Sequence, residues 1–181
     1  MDLCTFFSQI SYYLSNQEVE TVYNPGQAIT MLGLLKYPEG YVKAQGMNMC
    51  WSKDSSTAAD IAVANATYNP GFATKQGYLI QQPTIKGKFS FIVPLKHIFG
   101  FCEDYDKVVY GLKHTISLYR KGDNDAIYRA AAAAAGKVVI SKVSWFMPHV
   151  LPSDEEKFAL YKTIESKFLL QLCIETDHVI H

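Results

Sequence analysis

A chain of 181 residues, 49% of them hydrophobic, is long enough for one domain with a sizeable core and too apolar for wholesale disorder. Seventeen basic residues balance seventeen acidic ones, which argues against the long-range field of a nonspecific nucleic-acid or anionic-membrane binder. Cys4, Cys50, Cys102 and Cys173 lie far apart, never in C-x-x-C spacing. They read as buried or incidental thiols of a reducing compartment, not a disulfide framework or zinc site.

No apolar run approaches the ~20 residues that cross a bilayer. The opening MDLCTFFSQI lacks the basic region and long apolar core of a secretory signal. The expected location is therefore intracellular, with no membrane partner.

The first expected element is a β-hairpin over residues 9–23. Ile10, Tyr12 and Leu14 share one face, Val19, Thr21 and Tyr23 answer from the return strand, and residues 15–18 turn the chain. Asn16 tolerates the left-handed conformation such a turn needs. Asn24-Pro25-Gly26-Gln27 then reads as a helix start, with Asn24 as N-cap and Pro25 at the first helical position. Ala28, Met31, Leu32 and Leu35 fall at helical spacing and form the expected core stripe. Tyr37-Pro38 ends the helix, because the residue before proline disfavours the helical region.

From Glu39 to Lys86 the periodicity is lost. Glycines and prolines punctuate the stretch, which reads as a long irregular connection pinned by Tyr41, Met47, Met49 and Trp51. Asn65-Ala66-Thr67 fits a glycosylation sequon that turns up often by chance.

Residues 88–120 read as strand, short helical crossover, strand. Phe89, Phe91 and Val93 alternate with Ser90 and Ile92 until Pro94; His114, Ile116 and Leu118 alternate with Thr115, Ser117 and Tyr119. Gly122 to Asp125 is a turn by composition, without the spaced ligands of an EF-hand loop. The alanine run 130–135, stopped by Gly136, favours a short helix. Residues 137–150 read as a long strand with a phase change near Ser141-Lys142 that calls for a bulge. Ser153 and Glu156 form a capping box for a helix whose apolar side is Phe158, Tyr161, Ile164 and Phe168. Residues 168–181 match neither period.

The candidate chemistry is thin. His97, His114, His149, His178 and His181 never form H-x-H, H-x-D/E or H-E-x-x-H, the spacings that place two metal ligands on one strand face. His114 reads as a core histidine next to Ile116. Glu103, Asp104 and Asp106 could form an acid/base pair, but read better as charge at the N-terminus of a short helix opening near Glu103. Neither a P-loop, a G-x-G-x-x-G nor a G-x-S-x-G occurs. The residues by themselves therefore indicate no catalytic, cofactor-binding or metal site. A carbohydrate-binding module would need loop aromatics, for which Tyr41, Trp51 and Tyr68 are the candidates.

Several blocks carry a resemblance. Residues 89–101, the crossover and residues 110–116 are similar to the double jelly-roll major capsid protein family. The likeness extends to capsid-like proteins of Polinton and adintovirus-type elements integrated in animal genomes. The blocks YYLSNQEVETVYNPGQAITMLGLLKYPEGYVKAQGMN, KGDNDAIYRAAAAAAGKVVISKVSWFMPHVLP and SDEEKFALYKTIESK carry the same likeness. The resemblance implies a mostly β fold, an antiparallel jelly-roll sandwich with helices in the connections. It implies a structural role in a capsid or virion, trimeric capsomers, and neither enzyme activity nor cofactor nor small-molecule substrate. A jelly-roll binding module, or a cupin-like metal enzyme, is the alternative.

On that likeness residues 9–167 form a partial first jelly roll and residues 168–181 an unrelated or frameshifted tail. The chain then reads as a truncated copy with an unpaired edge beside Phe6, Phe7, Tyr12 and Tyr13, self-associating but unable to build the capsomer.

Overall fold

The computed structural model describes residues 3–54, 70–80, 87–126 and 136–165. The alanine run 130–135, the sequon at Asn65, Tyr68, Cys173, His178, His181 and the stretch 168–181 lie outside them.

The hairpin forms as β1 (Phe7–Leu14) and β2 (Gln17–Tyr23). Ser15 and Asn16 make its two-residue turn, both at positive φ (46° and 70°), the backbone whose twist suits a tight hairpin. The partners Ile10↔Val22 and Tyr12↔Glu20 hold until a register shift between Tyr12 and Tyr13 leaves Val19 as an extra residue. That bulge corrects the expected return face. Val19 and Val22 pack on the core, while Thr21 turns to the other side and donates to the Ser11 hydroxyl at 2.8 Å; Tyr23 is exposed.

The strand predicted at His114 forms as β3 (His114–Arg120) and pairs antiparallel with β1. The sheet order is β2-β1-β3. The expected open edge is thus corrected: β1 is the central strand, Phe6, Phe7 and Tyr12 are buried, and β2 and β3 are the edges.

Helix α1 (Pro25–Lys36) starts and stops where predicted, although Asn24 adopts a left-handed backbone and makes no side-chain cap. Its buried face is not the predicted stripe. Pro25, Gly26, Ile29 and Gly33 are buried, whereas Met31 is 64% exposed and Leu35 84%. The reason is steric: a Cβ at Gly26 would sit 2.6 Å from Thr5, and one at Gly33 2.6 Å from the Trp51 ring. Two glycines seven residues apart let that side approach the body more closely than the leucine side could.

Among its described residues the stretch expected to be irregular contains the α-helices α2 (Glu39–Ala44) and α3 (Pro70–Ile80). α3 is opened by a proline that suits the first turn and fastened by the 2.9 Å Lys75–Asp54 ion pair. Residues 88–94 keep the predicted alternation, with Phe89, Phe91 and Val93 turned in and Ser90 and Ile92 out. They form no strand: the segment makes one backbone bond, from Ile92 N–H to the Asn48 carbonyl at 2.9 Å, and is otherwise held by rings, Phe89 stacking on Phe6 and Phe91 meeting Tyr78.

Helix α4 (Gly100–Asp104) is the crossover, α5 (Asp123–Ala126) replaces the predicted turn, and α6 (Asp154–Glu165) follows the capping box. Ser153 N–H and Oγ donate to Glu156 Oε2 at 3.0 and 3.1 Å, and Glu156 N–H returns to Ser153 Oγ at 3.3 Å. The predicted strand 137–150 is absent from the ladder; residues 136–153 run as an irregular arm.

Among the described residues the strands hold fewer positions than the helices, and a single three-stranded antiparallel sheet stands where a two-sheet sandwich was expected. The core lies on the Ile10–Tyr12–Leu14 side, closed by Phe99, Phe101, Ile29 and Trp51. Burying one such side chain contributes roughly 1.5–3 kcal/mol.

Candidate functional site

The chemical candidates disperse. His114 sits at the start of β3 with Nδ1 2.7 Å from the Tyr12 hydroxyl, between the Tyr12 and Trp145 rings. Burial, then the Cys102 thiol, pushes the Tyr12 phenol up to about 12. Cys102 is itself pushed up to about 11 by burial and by Glu20. Neither is a poised nucleophile or base at neutral pH.

His97 lies about a separate aromatic group. Its Nε2 is 2.7 Å from the Tyr41 hydroxyl, and its ring meets Tyr37 edge-on. Burial and Lys96 hold its pKa below the ordinary value. Tyr41 is half-buried, and Trp51, only 3% exposed, is part of the core. His149 is exposed on the arm. Among the described residues no three His, Cys, Asp or Glu side chains gather around a common point.

Of the acidic trio, Glu103 lies in the first turn of α4, as expected, although the helix opens earlier, at Gly100; it pairs with Lys36 at 3.3 Å, while Asp104 and Asp106 are exposed. A second charge reaches the α4 N-terminus from β2: Glu20 accepts the Gly100 and Phe101 N–H groups, each at 2.9 Å. Sequence reasoning missed this carboxylate. Nothing in β2 singles it out, since the strand also carries Gln17 and Glu18.

What the molecule presents instead is apolar surface. From Val139 to Leu151 the arm leaves seven large apolar side chains exposed, among them Phe146 at 87% and Leu151 at 95%. The arm is fastened at two places. Arg120, at the end of β3, bonds both Asp123 and the Val138 carbonyl, and Val138 N–H donates to Asp123 Oδ1 at 3.3 Å. Seven residues on, Trp145 meets Tyr12 and His114 edge-on, with ring centroids 6.4 and 6.2 Å apart. Val138 therefore lies by the last residue of β3 and Trp145 by the first, so the arm follows β3 in the antiparallel sense.

Residues 55–179 match the family model described as double jelly roll-like domain. The chain belongs to the double jelly roll-like domain family. No curated protein and no solved structure matches it. The family match takes in β3, the arm and α6, whereas β1, β2, α1 and α2 precede it. The sheet thus joins strands from both sides of that boundary, β1 bonding β3 across about a hundred residues of chain.

Proposed function

We propose that this chain is a structural, self-associating shell protein of the capsid type, akin to the major capsid proteins of Polinton and adintovirus-like elements, and that it is not an enzyme. The observation that carries the reading is the exposed apolar arm on a double jelly roll-like chain. A protein whose work is to tile needs covered faces and open sheet edges, and needs no poised nucleophile. The histidines support the same view, since His97 and His114 each hydrogen-bond a tyrosine within an aromatic cluster. Its partners are further copies of itself, without nucleic acid, membrane or small-molecule substrate, and its place is the shell.

Sedimentation velocity over a concentration series, with electron microscopy of the heaviest species, tests this. Growth into regular oligomers as concentration rises is expected. A chain that remains monomeric at its solubility limit overturns the reading.

A further inference from the structure

The two sides of the sheet carry opposite charge. On one side, residues 137–153 hold Lys137 and Lys142 and not a single carboxylate. On the other, β2 holds Glu18 and Glu20 and no base, and α4, docked on β2 through Glu20, adds the exposed Asp104. Both sides are also short of backbone partners. Among the described residues β2 bonds only β1 in the sheet, and between its anchors at Val138 and Trp145 the arm belongs to no ladder.

We propose that the arm of one copy adds to the outer edge of β2 on a second copy, head to tail, with Lys142 of the first facing Glu18 of the second. This rests on the self-association reading above and names the contact.

The lengths agree: β2 has seven residues, and the arm between its anchors spans 139–144. Strand addition supplies main-chain hydrogen bonds that neither edge makes alone, while the pockets between alternate side chains give specificity. Within 139–144 the exposed apolar side chains are Val139, Ile140 and Val143, roughly 300 Å² at about 100 Å² apiece; that is less than the ~800 Å² per partner of a stable interface, so the main-chain bonds and the charge pair carry the rest of the contact. Val143 is 64% exposed and Tyr23, on β2, 67%, so each edge offers apolar surface beside its charge.

The charge pattern disfavours the symmetric alternatives. Arm on arm brings Lys142 toward Lys142, and β2 on β2 brings Glu18 toward Glu18; like charges directly opposite destabilise a strand pair. The contact is therefore heterologous. Such contacts do not terminate at a dimer: they close into a ring if the rotation permits, or run on as a chain.

The test uses two exposed positions on the full chain. Val143→Pro removes an arm N–H where the arm makes no ladder, and Glu18→Lys reverses the charge at the edge. Each variant alone is expected to associate about tenfold more weakly or worse than wild type, while keeping its thermal midpoint. An equimolar mixture is expected to stop at a one-to-one dimer, because one variant keeps a sound edge and the other a sound arm. Should Val143→Pro fail to fold, Lys142→Glu takes its place, and Lys142→Glu with Glu18→Lys in one chain is expected to restore association. If both single variants assemble like wild type, the edge contact is wrong while self-association stands. If the mixture remains monomeric, the head-to-tail geometry is wrong. If wild type itself never associates, the shell reading falls with it.

Discussion

Glu20 on β2 binds Phe101 on α4 across eighty residues of sequence: its Oε2 accepts the Phe101 N–H at 2.9 Å while Oε1 accepts that of Gly100 at the same distance. One carboxylate thereby satisfies two of the amide donors that a helix start leaves without intrahelical partners, and places negative charge at the positive end of the short helix. It also couples the hairpin to the crossover, and so fixes where Phe99 and Phe101 enter the core beside Tyr12.

Glu20→Ala is expected to lower stability by about 1.5–3 kcal/mol, the range for hydrogen bonds to a charged group, read from the chemical-denaturation midpoint. Glu20→Gln keeps one acceptor oxygen and is expected to lose less. Both variants remove a charge that raises the Cys102 thiol, so alkylation of Cys102 at mildly alkaline pH should quicken. Unchanged alkylation would mean that burial alone sets that thiol.

Gly33 is the second sensitive point. A Cβ there meets the Trp51 ring at 2.6 Å, and both residues are buried. Gly33→Ala gains helix propensity, yet the clash should outweigh it and destabilise by about 1–3 kcal/mol. A shift of the Trp51 fluorescence in the folded state, seen in a Trp145→Phe background, is expected alongside. Gly40 meets nothing within 4 Å, so Gly40→Ala, also in a helix, is the control and should be neutral or slightly stabilising.

What the sequence made legible were features decided within a few residues. The Ser15–Asn16 turn, Pro25 at the start of α1 and the Ser153–Glu156 box depend on local backbone chemistry, and all three formed. Features decided at long range were not legible. The Met31–Leu35 stripe has helical spacing, but nothing in α1 itself tells that Gly26 and Gly33 would meet Thr5 and Trp51. Phe89, Phe91 and Val93 alternate like a strand, yet a ladder needs a run of backbone bonds, and this segment makes a single one, to Asn48, beside its ring contacts. Residues 137–150 have the composition of a strand and sit beside β3, held by side chains at two ends. The same distance hid Glu20: its partners lie eighty residues away.

His97 gives the fold a direction in pH. Burial and Lys96 lower its pKa from 6.5, Lys36 acts the same way and Glu103 opposes them. The unfolded chain therefore takes up the proton first. Stability is undiminished above pH 6.5, falls as pH drops below that value, and levels off below the folded pKa. His97→Asn should flatten that window in a plot of thermal midpoint against pH. A wild-type curve that is already flat between pH 7 and the onset of carboxylate titration, at roughly pH 5, would count against the assignment.

The capping box at α6 is testable in isolation from the core. Phe158 is 70% exposed and Tyr161 47%, so these two side chains bury little surface, and the tertiary ties of the helix include a 2.9 Å bond between the Tyr110 and Tyr161 hydroxyls and the edge-on contact of the same rings. The box should then contribute a large share of the local stability. Ser153→Ala removes the acceptor of the Glu156 N–H and the hydroxyl that Glu156 Oε2 accepts, a loss of about 0.5–2 kcal/mol. Amide hydrogen exchange over residues 155–160 is expected to quicken by about threefold to thirtyfold, as that free energy implies, while exchange in β1 stays unchanged. Ser153→Asp keeps an acceptor at the cap and adds charge at the positive end of the helix, so it should retain the wild-type rates. If Ser153→Ala leaves exchange in α6 as it was, the helix is held by contacts along its apolar side and not by its cap.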